Sequence, residues 1–111
     1  MYYNLVHMAS LGDFEQILLL AILRLERDGA YGVSIRDEIV ARTKRNPTPG
    51  AIYTTLERLQ CKGLVSSETG EATAERGGRA KRYYSVTPQG RRALQQVQSD
   101  YRNLSAGLEF L

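Results

Sequence analysis

Two prolines bracket Thr48 in the run Asn46-Pro47-Thr48-Pro49-Gly50, and no regular element passes through such a run intact. Pro47 lacks the N–H that a continuing helix needs, whereas Pro49 at a first helical position loses nothing. The spacing therefore predicts one helix ending before Pro47 and another, capped by Thr48, starting at Pro49. Thr87-Pro88 repeats the device and predicts the start of the last helix.

The remaining elements fall between these marks. A first helix is expected from Asp13, where Asp13 and Gln16 have capping-box spacing, to about Arg27, ended by Asp28 and a left-handed Gly29. Its middle, Ile17 to Leu23, is apolar nearly all round. A small domain cannot bury such a helix on one face, so Leu18 and Ile22 are expected at a contact with a second subunit. A second helix is expected from Tyr31 to Thr43, burying Val33, Ile35, Ile39 and Val40 and leaving Arg42, Lys44 and Arg45 in solvent. The third, Pro49 to Lys62, points Ile52, Leu56 and Leu59 inward. Gly63 closes it. Leu64 to Glu68 and Arg82 to Val86 read as the strands of a hairpin whose tip runs from Thr69 to Lys81.

From Pro88 to Leu111 the apolar residues Leu94, Val97, Tyr101, Leu104, Leu108 and Leu111 alternate at spacings of three and four. Such a seam is narrower than an ordinary core face and asks for a partner helix. Packing on the chain's own first helix and pairing with a second copy are both expected. The sequence thus reads as mainly α with a small β-hairpin. It divides into an N-terminal extension at 1–10, a winged helix-turn-helix at 11–87 and a C-terminal dimerisation helix at 88–111.

With 111 residues the chain makes one domain, and its 42% apolar and 24% charged residues are ordinary for a globular protein. The formal charge of +3 is unevenly placed, since twelve of the fifteen basic and six of the twelve acidic side chains lie from Arg36 to Arg92. That middle stretch is the part expected to meet a polyanion. Cys61 is the single cysteine, which excludes an internal disulfide and fits a reducing cytoplasm. The N-terminus has neither a basic region nor a long apolar core, so export and membrane spanning are disfavoured. His7 lies in the N-terminal extension, away from any Cys, Ser or carboxylate pair that could form a catalytic unit. Neither enzyme chemistry, a metal nor a cofactor is expected.

Opposite the inward stripe of the third helix lie Gly50, Thr54, Glu57, Arg58 and Cys61, flanked by Ala51 and Tyr53. A solvated face usually carries several Lys and Glu. This one is low in bulk near its start, as suits approach to base edges in a major groove. The hairpin tip ends in Arg76-Gly77-Gly78-Arg79-Ala80-Lys81-Arg82, where four positive charges are set to follow a phosphate backbone or enter a minor groove. The same run also resembles a single RGG-type RNA-binding element or a merely soluble loop. An RNA-binding module and a protein-contact scaffold stand as alternatives to a DNA-binding regulator. Cys61 reads as a plain small residue rather than a thiol switch.

Leu11-Gly12-Asp13-Phe14-Glu15, Ala30-Tyr31-Gly32-Val33, the block from Thr48 to Leu59, Lys62-Gly63-Leu64-Val65 and the block from Lys81 to Gly90 resemble the PadR family of bacterial transcriptional regulators, over about residues 11–95. Without the extra C-terminal domain of longer members, the chain is similar to the compact subgroup that dimerises through one helix. The resemblance implies a homodimeric repressor of double-stranded DNA reading a palindromic operator and controlled by a small-molecule or stress signal, with an effector site at the dimer interface. It places recognition-helix contacts on Thr48, Gly50, Ala51, Tyr53, Thr54 and Arg58, helix-two contacts near Tyr31 and Gly32, and wing contacts on Arg79, Lys81 and Arg82. The final helix has no tryptophan to stack planar ligands, which some multidrug-sensing relatives use.

Overall fold

The computed structural model describes residues 10–70 and 81–109. Three helices, α1 (Asp13–Leu25), α2 (Gly32–Arg42) and α3 (Pro49–Cys61), precede the strands β1 (Val65–Thr69) and β2 (Arg82–Val86) and a last helix, α4 (Pro88–Ser105). β1 and β2 pair antiparallel, with Val65 opposite Val86 and Thr69 opposite Arg82. The arrangement is the expected mainly α fold with a hairpin wing. None of the described helices is long and apolar enough to cross a membrane.

Both cap-then-proline signals act as the spacing predicts. Thr48 Oγ1 accepts the Ala51 N–H at 3.1 Å and Thr87 Oγ1 accepts the Gly90 N–H at 3.0 Å, with a proline in each first turn. α3 ends in a Schellman motif, in which the Gly63 N–H bonds to the Gln60 carbonyl and the Leu64 N–H to that of Leu59. The start of α1 is shifted from expectation. Gly12 is the cap, and its N–H donates to Glu15 Oε1 at 2.7 Å. Asp13 forms an ion pair with Arg45 instead.

One core holds these elements together. Leu18, Leu19, Ile22, Ile35, Ile52, Leu56 and Leu59 are fully buried, and Leu64, Val65, Tyr84, Val86 and Leu94 close its wing side. Each such aliphatic side chain contributes about 1.5–3 kcal/mol by leaving water. The hairpin joins the helical layer through its backbone, since the Tyr84 N–H donates to the Ala30 carbonyl at 2.8 Å.

Four expectations are corrected by this packing. Leu18 and Ile22 lie in the domain's own core and have no surface left for a second subunit. On α1 Leu20 is exposed, and with the partly buried Ile17 and Leu23 it lines a cavity of about 580 Å³ against Ile39 of α2 and Thr43 at its end. Val33 and Val40 are exposed, because the buried stripe of α2 is the four-apart pair Ile35 and Ile39 and neither valine lies on it. The apolar seam divides: Leu94 is buried in the core, whereas Tyr101 is 63% and Leu104 79% exposed. Finally α4 stops at Ser105, and Gly107, at φ 84°, turns the chain so that Leu108 leaves the helical line. Leu111, like Phe110 and His7, lies outside the described residues.

Candidate nucleic-acid interface

The turn from Thr43 to Thr48 sets where α3 begins. No backbone hydrogen bond joins Lys44 to Pro47, and side chains fix the turn instead. Thr43 Oγ1 donates to the Ile39 carbonyl and accepts the Arg45 N–H, at 2.7 and 3.0 Å. Arg36 reaches across from α2 and donates from Nε to the Pro47 carbonyl and from Nη2 to Asn46 Oδ1, each at 2.6 Å. At the other end of α3, Lys62 Nζ donates to Glu15 Oε1 at 2.9 Å and to the Ser10 carbonyl at 3.0 Å.

Held in this way, α3 presents Gly50, Thr54, Glu57, Arg58 and Cys61 to solvent, with Thr48 exposed at its cap and Ala51 partly covered. Thr55, which the apolar pattern passes over, is buried beside Ile52 and Leu56. Tyr53 is half exposed, and its ring rests on the start of α2. A Cβ on Gly32 would stand 2.2 Å from the Tyr53 hydroxyl, so this position admits the ring only as glycine. Gly32 is accordingly buried beneath Tyr53, which corrects its assignment as a surface contact.

The wing stands beside this face. Ser67 of β1 donates to Gln60 Oε1 of α3 at 3.3 Å, and a groove of about 670 Å³ between α3 and β2 is lined by Tyr53, Glu57, Gln60, Cys61, Arg82 and Tyr84. Burial pushes the Tyr84 phenol above its usual range, opposed by the charge of Arg82, and it stays neutral at physiological pH. At the tip-side end of the paired strands the Tyr31 and Tyr83 rings meet edge to face at 5.7 Å, and the Lys81 ammonium lies 4.1 Å from the Tyr31 ring centre. Tyr31 and Lys81, far apart in sequence, thus form one cation–π unit. Arg79 lies outside the described residues.

The cations of this region fall into two groups. Arg42 pairs with Glu38, whose carboxyl is held below the usual range first by its hydrogen bond to Arg42; Arg45 and Lys62 pair with Asp13 and Glu15. Lys44, Arg58 and Arg82 are exposed and have no acidic partner among the described residues. The clasp of Arg36 and the pairing of Lys62 left no sequence signal, because their partners are 11 and 47 residues away.

The helix of low bulk capped by Thr-Pro and the hairpin strands beside it lie within the stretch that matches a known family. Residues 19–96 match the model of the transcriptional regulator PadR-like family. The chain belongs to that family. Over 47 residues, 42% of the chain, this PadR-like protein is 47% identical to the transcriptional regulator Rv3488 of Mycobacterium tuberculosis, a match that spans 40% of that relative's length. A crystal structure of a PadR family transcription regulator from hypervirulent Clostridium difficile R20291 is similar at a TM-score of 0.65 and 25% identity, covering 83% of this chain and 91% of that one. F93 from STIV, described as a winged-helix DNA-binding protein, shares the fold at a TM-score of 0.63 and 14% identity, over 88% of this chain and 98% of its own. The chain thus combines membership of the transcriptional regulator PadR-like family with a winged-helix fold.

Proposed function

We propose that this regulator is a homodimeric repressor that reads a palindromic DNA operator, with α3 in the major groove and the wing on the flanking backbone. The observation that carries the reading is the outward face of α3, where Gly50, Thr54 and Arg58 are exposed and where Tyr53 and Glu57 share a groove with Arg82 of the wing. Small side chains let the helix approach base edges, Thr54 offers its hydroxyl to them, the exposed part of the Tyr53 ring, whose hydroxyl end is docked on Gly32, adds apolar contact, and Arg58 with the exposed Lys44 meets phosphates. Repression follows from occupying the operator and excluding other proteins from it. The dimer is supported by the apolar side chains Tyr101 and Leu104 exposed on α4 and by the apolar cavity beside the exposed Leu20 of α1.

The test begins with duplexes selected from a random pool by the parent protein. Thr54→Ala and Tyr53→Ala are expected to weaken binding to the selected duplex by about 1–3 kcal/mol and to leave non-specific binding in place. Unchanged affinity in both variants, each melting as the parent does, would remove α3 as the reader.

Changing Arg79, Lys81 and Arg82 together to Ser separates the wing from the helix. Binding to all duplexes should weaken alike, and the slope of log affinity against log salt should flatten by about one unit per lost phosphate contact. A loss confined to one sequence would show that the wing reads bases.

A further inference from the structure

We propose that Arg36 is a positioning residue for operator reading: its guanidinium clasps the turn that launches α3 and thereby sets the angle at which the reading helix leaves α2. The proposal rests on α3 being the reader. Arg36 is partly buried on α2, one residue beyond the fully buried Ile35, so its origin is fixed by the core. From there Nε and Nη2 donate to the Pro47 carbonyl and the Asn46 side chain, both at 2.6 Å.

These two bonds act where the backbone is least constrained. Lys44 to Pro47 makes no backbone–backbone hydrogen bond, while the rings of Pro47 and Pro49 fix φ on either side of Thr48. The remaining freedom lies in the turn just before Pro47, and the forked donor set spans that stretch. Recognition geometry tolerates displacements of only about 0.5 Å or 10–20°. A rigid planar fork can hold such a turn, whereas a lysine ammonium is a single point on a flexible stem. The direction of the guanidinium also separates Arg36 from Lys44, Arg58 and Arg82, whose charges stand free in solvent.

The test compares the parent, Arg36→Lys, Arg36→Gln and Asn46→Ala on the duplex selected by the parent and on a scrambled duplex of equal length, across a salt series, with thermal melts of each protein. Arg36→Lys keeps the charge and should lose about tenfold on the selected duplex. Its affinity for the scrambled duplex should stay at the parent's value. Asn46→Ala, a neutral change in an exposed turn, should lose less in the same direction, and it decides the matter if Arg36→Lys melts below the assay temperature. Arg36→Gln should keep the parent's salt slope. Parent-level discrimination in Arg36→Lys would overturn the clasp. So would a slope flattened by about one unit in Arg36→Gln, the mark of a lost phosphate contact. A parent protein that fails to distinguish the two duplexes, or a Thr54→Ala variant that still does so fully, would instead remove the reading on which the proposal rests.

Discussion

Leu104→Asp should turn the regulator into a folded monomer. Leu104 is 79% exposed on α4, so a carboxylate there meets water in the single subunit and leaves the core from Leu18 to Leu94 untouched. In the proposed dimer the same position is covered by apolar surface of the second copy. A carboxylate placed there loses its hydration without gaining a partner, at a cost of several kcal/mol. Each 1.4 kcal/mol is a factor of ten in the dimer dissociation constant, so the dimer should be lost at micromolar concentration. Operator affinity should fall further than for any single contact on α3, because two half-sites are no longer held by one particle. Sedimentation velocity checks the mass and circular dichroism the fold. A variant that remains dimeric would take α4 out of the interface; one that unfolds would place Leu104 in a core.

The seam on α4 also shows how far periodicity reaches. Spacing shows that one stripe of a helix is apolar, but not how much of it the chain covers by itself. Leu94 is buried and Tyr101 exposed although both carry the same signal, since α4 runs past the edge of the core. The same ambiguity misplaced Leu18 and Ile22: on a helix apolar nearly all round, the pattern cannot tell the face toward α3 from the face toward solvent. Local signals fared better where the chemistry is confined to a few neighbouring residues. Thr48-Pro49 and Thr87-Pro88 cap their helices because each needs only a hydroxyl and the N–H three residues on. Asp13 had equal local credentials but is drawn to Arg45, 32 residues away, and Glu15 supplies the bond to Gly12. Gly32 reads as an open contact point in the sequence, and only the fold brings Tyr53 onto it. The exposed residues of α3 were legible for the opposite reason, since once Ile52, Leu56 and Leu59 are inside, the helical repeat leaves their opposites nowhere else to go.

Glu15→Ala should produce the largest loss of stability among single changes outside the apolar core. Glu15 is 4% exposed, and its Oε1 accepts both the Gly12 N–H and the Lys62 ammonium, whose own side chain is only 14% exposed. Truncation strands a mostly covered positive charge with the Ser10 carbonyl as its remaining described partner and deprives α1 of its capping bond. Removing one member of a buried ion pair typically costs about 3–5 kcal/mol, a large share of the roughly 5–15 kcal/mol that stabilises a domain. The asymmetry of buried pairs supplies the control. Glu15→Met combined with Lys62→Met removes both charges and fills the space with apolar atoms, and it should recover most of the loss, because neither ion is left without its counterpart. Urea melts of the parent, Glu15→Ala, Glu15→Met, Lys62→Met and the Met double variant measure the loss and the coupling directly. A Glu15→Ala protein within about 1 kcal/mol of the parent would mean that the pair behaves as a surface ion pair does. The anchor of α3 would then lie in Ile52, Leu56 and Leu59 alone, and the end of this helix would be held by packing rather than by charge.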